Sequence, residues 1–201
     1  MTASKLTIIS EGESDTRLIR KLIAHELTSD MKFYASQGRL SLLSLARNLI
    51  VHEGGPVLLV MDADSTNPHV RRELEAMTIA AISGAGGDGT LLANQGLFNV
   101  FMFVPEIEVV FFEAPRVLER IMNKPVGKDT VELGLTEPKK VLVKLTRDSK
   151  ALAVDLLSRK IDEEGIEILR AGKQARALRQ TVNDFLRGAV GEGIADMQGS
   201  S

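Results

Sequence analysis

The sequence predicts an α/β fold, a mostly parallel four-stranded sheet with helices on both faces, followed by a mainly helical extension. Three observations predict it. An unbroken apolar run at 57–61 and a strongly apolar one at 97–104 have the length and branched or aromatic content of buried strands. Apolar runs alternate with stretches in which apolar residues recur at helical spacing, the pattern of a parallel sheet with right-handed crossovers. The runs end in acids, at the strand ends where open α/β sheets keep their chemistry.

The first strand is Leu6-Thr7-Ile8-Ile9-Ser10, closed by Glu11-Gly12-Glu13-Ser14-Asp15. Leu18, Ile19, Leu22, Ile23 and Leu27 then share one face, with Arg17, Arg20, Lys21 and His25 on the other, so 14–27 is expected to be an amphipathic helix. Asp15 would lie in its first turn, where a carboxylate complements the helix dipole. Residues 31–36 read as a second strand and 41–52 as a helix carrying Leu42, Leu45, Ala46, Leu49 and Ile50.

The third strand, opened by Pro56 after Gly54-Gly55, delivers Asp62 and Asp64 to its carboxyl end. Side chains alternate along a strand, so the two aspartates point the same way if extended geometry persists through Ala63. Two anionic oxygens would then reach one hard cation, Mg²⁺ or Mn²⁺. Asn67-Pro68 opens a helix at 70–82, and the glycine-dense 83–89 reads as a mobile loop. That loop lacks the Gly-Lys-Ser/Thr ending of a phosphate-binding loop, and no clear strand precedes it.

The fourth strand, 97–104, ends at Pro105-Glu106-Ile107-Glu108, and a helix from Pro115 reaches about 122. The linker 124–129 leads to a basic helix at 138–145 with Lys139, Lys140 and Lys144, and to a further helix at 149–161. A last short strand is expected at 166–169 and a final helix at 171–186. The glycine-rich tail, 188–201, is expected to fray.

The chain has 201 residues, enough for one well-filled domain or for one domain with a small helical appendage. The expected division is a metal-binding domain at 1–123, a helical extension at 124–187 and the tail. Lys and Arg number 25 against 27 Asp and Glu, so contact with nucleic acid needs a local patch or a metal between carboxylate and phosphate. The chain has no cysteine, which excludes disulfides, thiolate zinc sites and cysteine nucleophiles. Aromatic content of 4% without tryptophan argues against a base-stacking surface. The N-terminus lacks a signal-peptide pattern and no run approaches the roughly 18 apolar residues of a membrane span, so a cytoplasmic location is expected.

Each acid cluster has a plain structural reading, as a polar turn, a helix cap or a solvated strand end. Three such clusters at the same edge of one sheet would repel one another unless cations or protons compensate. Ser10-Glu11-Gly12-Glu13-Ser14-Asp15 and Val60-Met61-Asp62-Ala63-Asp64-Ser65 resemble the Glu-Gly and Asp-x-Asp motifs of the TOPRIM domain, shared by topoisomerases, primases and overcoming-lysogenization-defect nucleases. Together with Val104-Pro105-Glu106-Ile107-Glu108, they look most like standalone nuclease-type TOPRIM proteins. The resemblance covers about 5–120.

This resemblance implies Mg²⁺- or Mn²⁺-dependent hydrolysis of DNA or RNA phosphodiesters, in phage defence or genome conflict. Glu11 and Asp15 would bind one ion or act on the attacking water. Asp62 and Asp64 would hold a second, helped by Glu106 or Glu108, with Glu11, Asp62 and Asp64 as the catalytic acids. Related nucleases also use a lysine near the leaving group. Lys139, Lys140 and Lys144 are candidates by position, beside the plainer reading of a solvated basic face. Large relatives carry an ATPase domain, so ATP use would require a separate ATPase partner. Nucleic acid is the expected partner, no membrane is expected, and a homo-oligomer is compatible. The single tyrosine, Tyr34, sits on a predicted strand, which argues against a topoisomerase.

Two rival readings remain. One is a TOPRIM-like scaffold that binds metal and a partner without cutting. The other is a haloacid-dehalogenase-like phosphatase, with Asp62 as nucleophile, Asp64 as acid and base and Thr66 as phosphate ligand. The second leaves the Glu11 cluster unexplained.

Overall fold

The computed structural model describes residues 6–23, 31–83, 97–147 and 150–195. Strands β1 (Leu6–Ser10), β2 (Met31–Ala35), β3 (Val57–Asp62) and β4 (Phe98–Phe103) form one sheet in the order β2-β1-β3-β4. All three pairings are parallel, with Ile8 opposite both Phe33 and Leu58, and Val60 opposite Ser10 and Phe101. Every strand therefore ends at the same edge, where the acids lie. Helices α1 (Glu13–Leu22), α2 (Arg39–Glu53) and α3 (Pro68–Ser83) make the crossovers.

Alternation along the strands divides the core in two. Leu6, Ile8, Leu58, Val60 and Phe103 face one cluster, whereas Ile9, Val57, Leu59, Met61 and Phe98 face the other. The second cluster is closed by Leu42, Ala46, Leu49 and Ile50 of α2 and by Ile82 of α3. The first is closed by Leu18, Ile19 and Leu22 of α1 and by the helices that follow the sheet. These are α4 (Val109–Glu113), α5 (Pro115–Met122), α6 (Lys128–Gly134), α7 (Pro138–Thr146), α8 (Lys150–Lys160), α9 (Glu163–Arg170) and α10 (Lys173–Ala195).

Polar ties fasten these helices to α1. Lys21 Nζ donates to the Ser158 carbonyl at 2.7 Å, and the Arg170 guanidinium donates to the carbonyls of Lys21 and Ile23 at 3.0 Å. The position of α7, which enters the site below, is thus set by a core continuous with β1, β3 and β4.

Several local expectations change. Residues 166–169 are helical, not a strand: the Asp162 carboxylate accepts the Gly165 N–H at 2.9 Å, capping α9, and Glu163 and Glu164 complement its first turn. Ile166 and Leu169, three apart, then turn toward the first core cluster. The apolar run after Glu108 is the short helix α4, with Val109, Val110, Phe111 and Phe112 all buried. Helix α6 begins inside the expected linker. Helix α1 ends at Leu22, and 24–30 lie outside the described residues, as do 84–89 of the glycine-rich segment. Helix α10 continues through 188–195, where fraying is expected, and 196–201 lie outside the described residues. Among the described residues no helix is long and apolar enough to cross a membrane.

Candidate functional site

The edge where β1, β3 and β4 end carries the candidate site. Beyond β1 the chain turns at Gly12, and α1 starts at once, its first turn presenting Asp15. The buried hydroxyls of Ser10 and Thr16 meet at 2.5 Å, and the Thr16 hydroxyl donates to the Gly12 carbonyl at 2.9 Å, which fixes the turn. Glu11, Asp15 and Asp62 line one small cleft, backed by Ile19, Val60, Phe103 and Ile107. The acid clusters that follow the first and third strands therefore meet across neighbouring strands.

Asp62 is the last residue of β3 and is only 9% exposed. Its Oδ1 accepts the Ile107 N–H at 2.8 Å, and its Oδ2 accepts from Lys139 Nζ at 2.6 Å. Burial raises the Asp62 carboxyl above its ordinary pKa, against the pull of Lys139. Lys139 lies in the first turn of α7. Its backbone N–H, one of the unpaired donors of a helix start, bonds Glu106 Oε2 at 3.2 Å, and its Nζ lies 3.4 Å from Glu106 Oε1. Burial pulls the ammonium down, but Asp62, Glu108 and Glu106 outweigh it and keep the group protonated.

Asp64 does not continue the strand. Its N–H still pairs with the Pro105 carbonyl at 2.9 Å, but its φ of 52° is left-handed, so the extended geometry expected through Ala63 ends there. The Asp64 side chain, 56% exposed, pairs with Arg39 Nη2 at 2.8 Å. Arg39 reaches this edge because Gly38 donates its N–H to the Glu11 carbonyl at 3.1 Å and adopts φ 89°, a value suited to glycine, just before α2. The same Nη2 lies 3.5 Å from Glu11 Oε1 and 3.0 Å from the Asp62 carbonyl.

Glu106 and Glu108 have different surroundings. Glu106 is held by Lys139, whereas Glu108 is 3% exposed and its Oε2 is buried without a hydrogen-bond partner. Burial raises Glu108 to about 8 and Asp15 to about 6, and it also raises Glu11. Nearby Asp62 pushes all three further in the same direction.

The structure thus brings Glu11, Asp15, Asp62, Asp64, Glu106 and Glu108 to one edge, where Arg39 and Lys139 answer their charge. Among the described residues, no three acidic or histidine side chains are placed to hold one metal ion together. Sequence reasoning missed Arg39, whose one signal is its place after Gln37-Gly38 at a strand end. It left Lys139 unresolved from its neighbours. In the structure Lys140 pairs outward with Glu137 at 2.8 Å and is largely exposed, so the solvated-face reading suits Lys140 and not Lys139.

No family model and no curated protein sequence matches the chain. Solved structures of two OLD-protein C-terminal regions resemble it. The C-terminal region of the OLD protein of Xanthomonas campestris pv. campestris matches with a TM-score of 0.54 and 16% identity, covering 96% of this chain and 100% of that one. The C-terminal region of the Burkholderia pseudomallei OLD protein matches with a TM-score of 0.54 and 12% identity, covering 90% and 98%. The likeness extends over the C-terminal helices, for which the sequence offered no match. This chain has the TOPRIM-type fold of OLD-protein C-terminal regions.

Proposed function

We propose that the chain is a phosphodiester hydrolase of DNA or RNA that works with Mg²⁺ or Mn²⁺ at the edge where β1, β3 and β4 end. The observation that carries this reading is the shared cleft of Glu11, Asp15 and Asp62, with Lys139 reaching Asp62 from a C-terminal helix. The donor chemistry fits a hard divalent cation. All donors are oxygens, Glu108 Oε2 is buried without a partner, and burial and mutual repulsion raise the pKa values of four of the acids. Binding the ion would require Glu11, Asp15 and Asp62 to draw closer than they stand here, with Asp64, Glu106 and Glu108 as further ligands. Bound there, it would neutralise phosphate charge and make water a competent nucleophile near neutral pH.

The chain's own residues then have separate tasks. Asp15 either ligates the ion or, where it does not, stands as the group that acts on the attacking water, its carboxyl raised to about 6 by burial in the metal-free chain. Lys139 keeps a positive charge beside Asp62 and can present it to a phosphate oxygen. A cleft lined by Asp64, Glu106, Thr136, Glu137, Lys139 and Lys140 opens beside that charge. A defence role and a separate ATPase partner belong to the same proposal and rest on the resemblance alone.

The test is incubation of the purified chain with plasmid, single-stranded DNA and RNA in Mg²⁺ or Mn²⁺. Cleavage should fall by at least about 100-fold in Asp62→Ala and Glu11→Ala. Cleavage that survives both substitutions rules the reading out.

One observation favours a non-catalytic scaffold instead: Asp64 turns out of the strand, and the acids are paired with Arg39 and Lys139. Under that reading no nucleic acid is cut by wild type or variant, while binding to a partner persists.

A further inference from the structure

Arg39 meets the acidic edge through one nitrogen. A guanidinium that clamps a fold spreads its bonds over its planar fork, commonly two nitrogens to one carboxylate. Here a single nitrogen, Nη2, faces three oxygens from three separate groups: Asp64 Oδ2 at 2.8 Å, the Asp62 carbonyl at 3.0 Å and Glu11 Oε1 at 3.5 Å. One cationic point amid converging hard oxygens is the environment of a bound cation.

We propose that Arg39 is a built-in counter-ion that sits in a divalent-cation seat between Glu11 and Asp64 and yields it when the cation binds. The inference rests on the metal-dependent reading above and adds a competitor to it. Glu11 and Asp64 repel each other, and without a compensating charge their approach would be costly. Arg39 supplies that charge in the metal-free chain. A divalent ion entering the same oxygens must displace the guanidinium, which, tethered by Gly38 at the rim, swings toward solvent and an incoming phosphate. Metal affinity is thereby held down until the seat is vacated.

The experiment measures free Mn²⁺ by its solution EPR signal during titration of the full-length chain, without nucleic acid. Arg39→Gln, folded as judged by circular dichroism, should bind Mn²⁺ about tenfold more tightly than wild type, because the competing charge is gone. Arg39→Lys, which keeps a charge in a different geometry, should lie between the two, and it provides the comparison if the glutamine variant does not fold. Equal affinity in wild type and variants overturns the counter-ion role and leaves the metal reading intact. Weaker binding in Arg39→Gln also overturns it, by showing that Arg39 positions Glu11 for the ion. Absence of Mn²⁺ binding in every folded form overturns the metal reading and the counter-ion role with it.

Discussion

Lys139 Nζ lies 2.6 Å from Asp62 Oδ2, although the two residues are 77 positions apart in the chain. The contact joins the end of a central strand to the first turn of α7, so the helices after the sheet contribute directly to the acidic edge.

Replacing Lys139 by methionine should remove both a cation and a fastening. Asp62 would be left buried with only the Ile107 N–H, and a carboxylate so stranded costs stability. The expected loss is about 1–3 kcal/mol by chemical denaturation, below the range for a fully enclosed pair because Lys139 is 24% exposed. Cleavage should disappear in Lys139→Met and persist in Lys140→Ala, whose ammonium faces solvent.

The pH dependence of stability follows from the buried acids. Asp15 and Glu108, raised by burial to about 6 and about 8, keep protons in the native state that the unfolded chain releases near its ordinary values of 3.8 and 4.5. Below those ordinary values both states are protonated and no penalty arises. As pH climbs to about 8 the unfolded chain ionises first, so the metal-free protein loses stability across that window. Glu108→Gln should flatten the profile, with a gain of about 1–2 kcal/mol at pH 8.5 and almost none at pH 4. Mn²⁺ should raise the melting midpoint more at pH 8 than at pH 5.5, because its ligands must be deprotonated.

Gly134 is a packing constraint. A Cβ there would fall 2.0 Å from Cδ1 of Phe112, whose ring is buried in the core cluster that also holds Leu58 and Val60. Gly134→Ala should cost about 2–3 kcal/mol, read as a shift in denaturation midpoint. The same shared core predicts that a fragment of residues 1–123 will not give a cooperative unfolding transition, since it would strip Val141, Leu142, Val154, Leu157 and Leu178 from the face of the sheet.

Much of the sheet was legible in the sequence because its signals are local. Gly54, Gly55 and Pro56 open β3, its apolar run is unbroken, and the acids at 11, 62 and 106 mark the strand ends. What escaped depends on tertiary placement. Arg39 looks like any helix-start arginine until Gly38 bonds Glu11, and nothing local separates Lys139 from Lys140. The left-handed turn at Asp64 is set by its pairing to Pro105 and Arg39, so the parallel-aspartate expectation had no local counter-signal. At 166–169 a short apolar run reads equally as strand or helix, and the Asp162 cap decides it.

The most direct measurement is the anomalous scattering of Mn²⁺ soaked into crystals of the chain. A peak coordinated by Glu11 and Asp62, with Asp15 or Asp64 alongside and Arg39 moved off Glu11, is the result expected. Peaks confined to acids away from this edge, or no peak at millimolar Mn²⁺, would contradict the account.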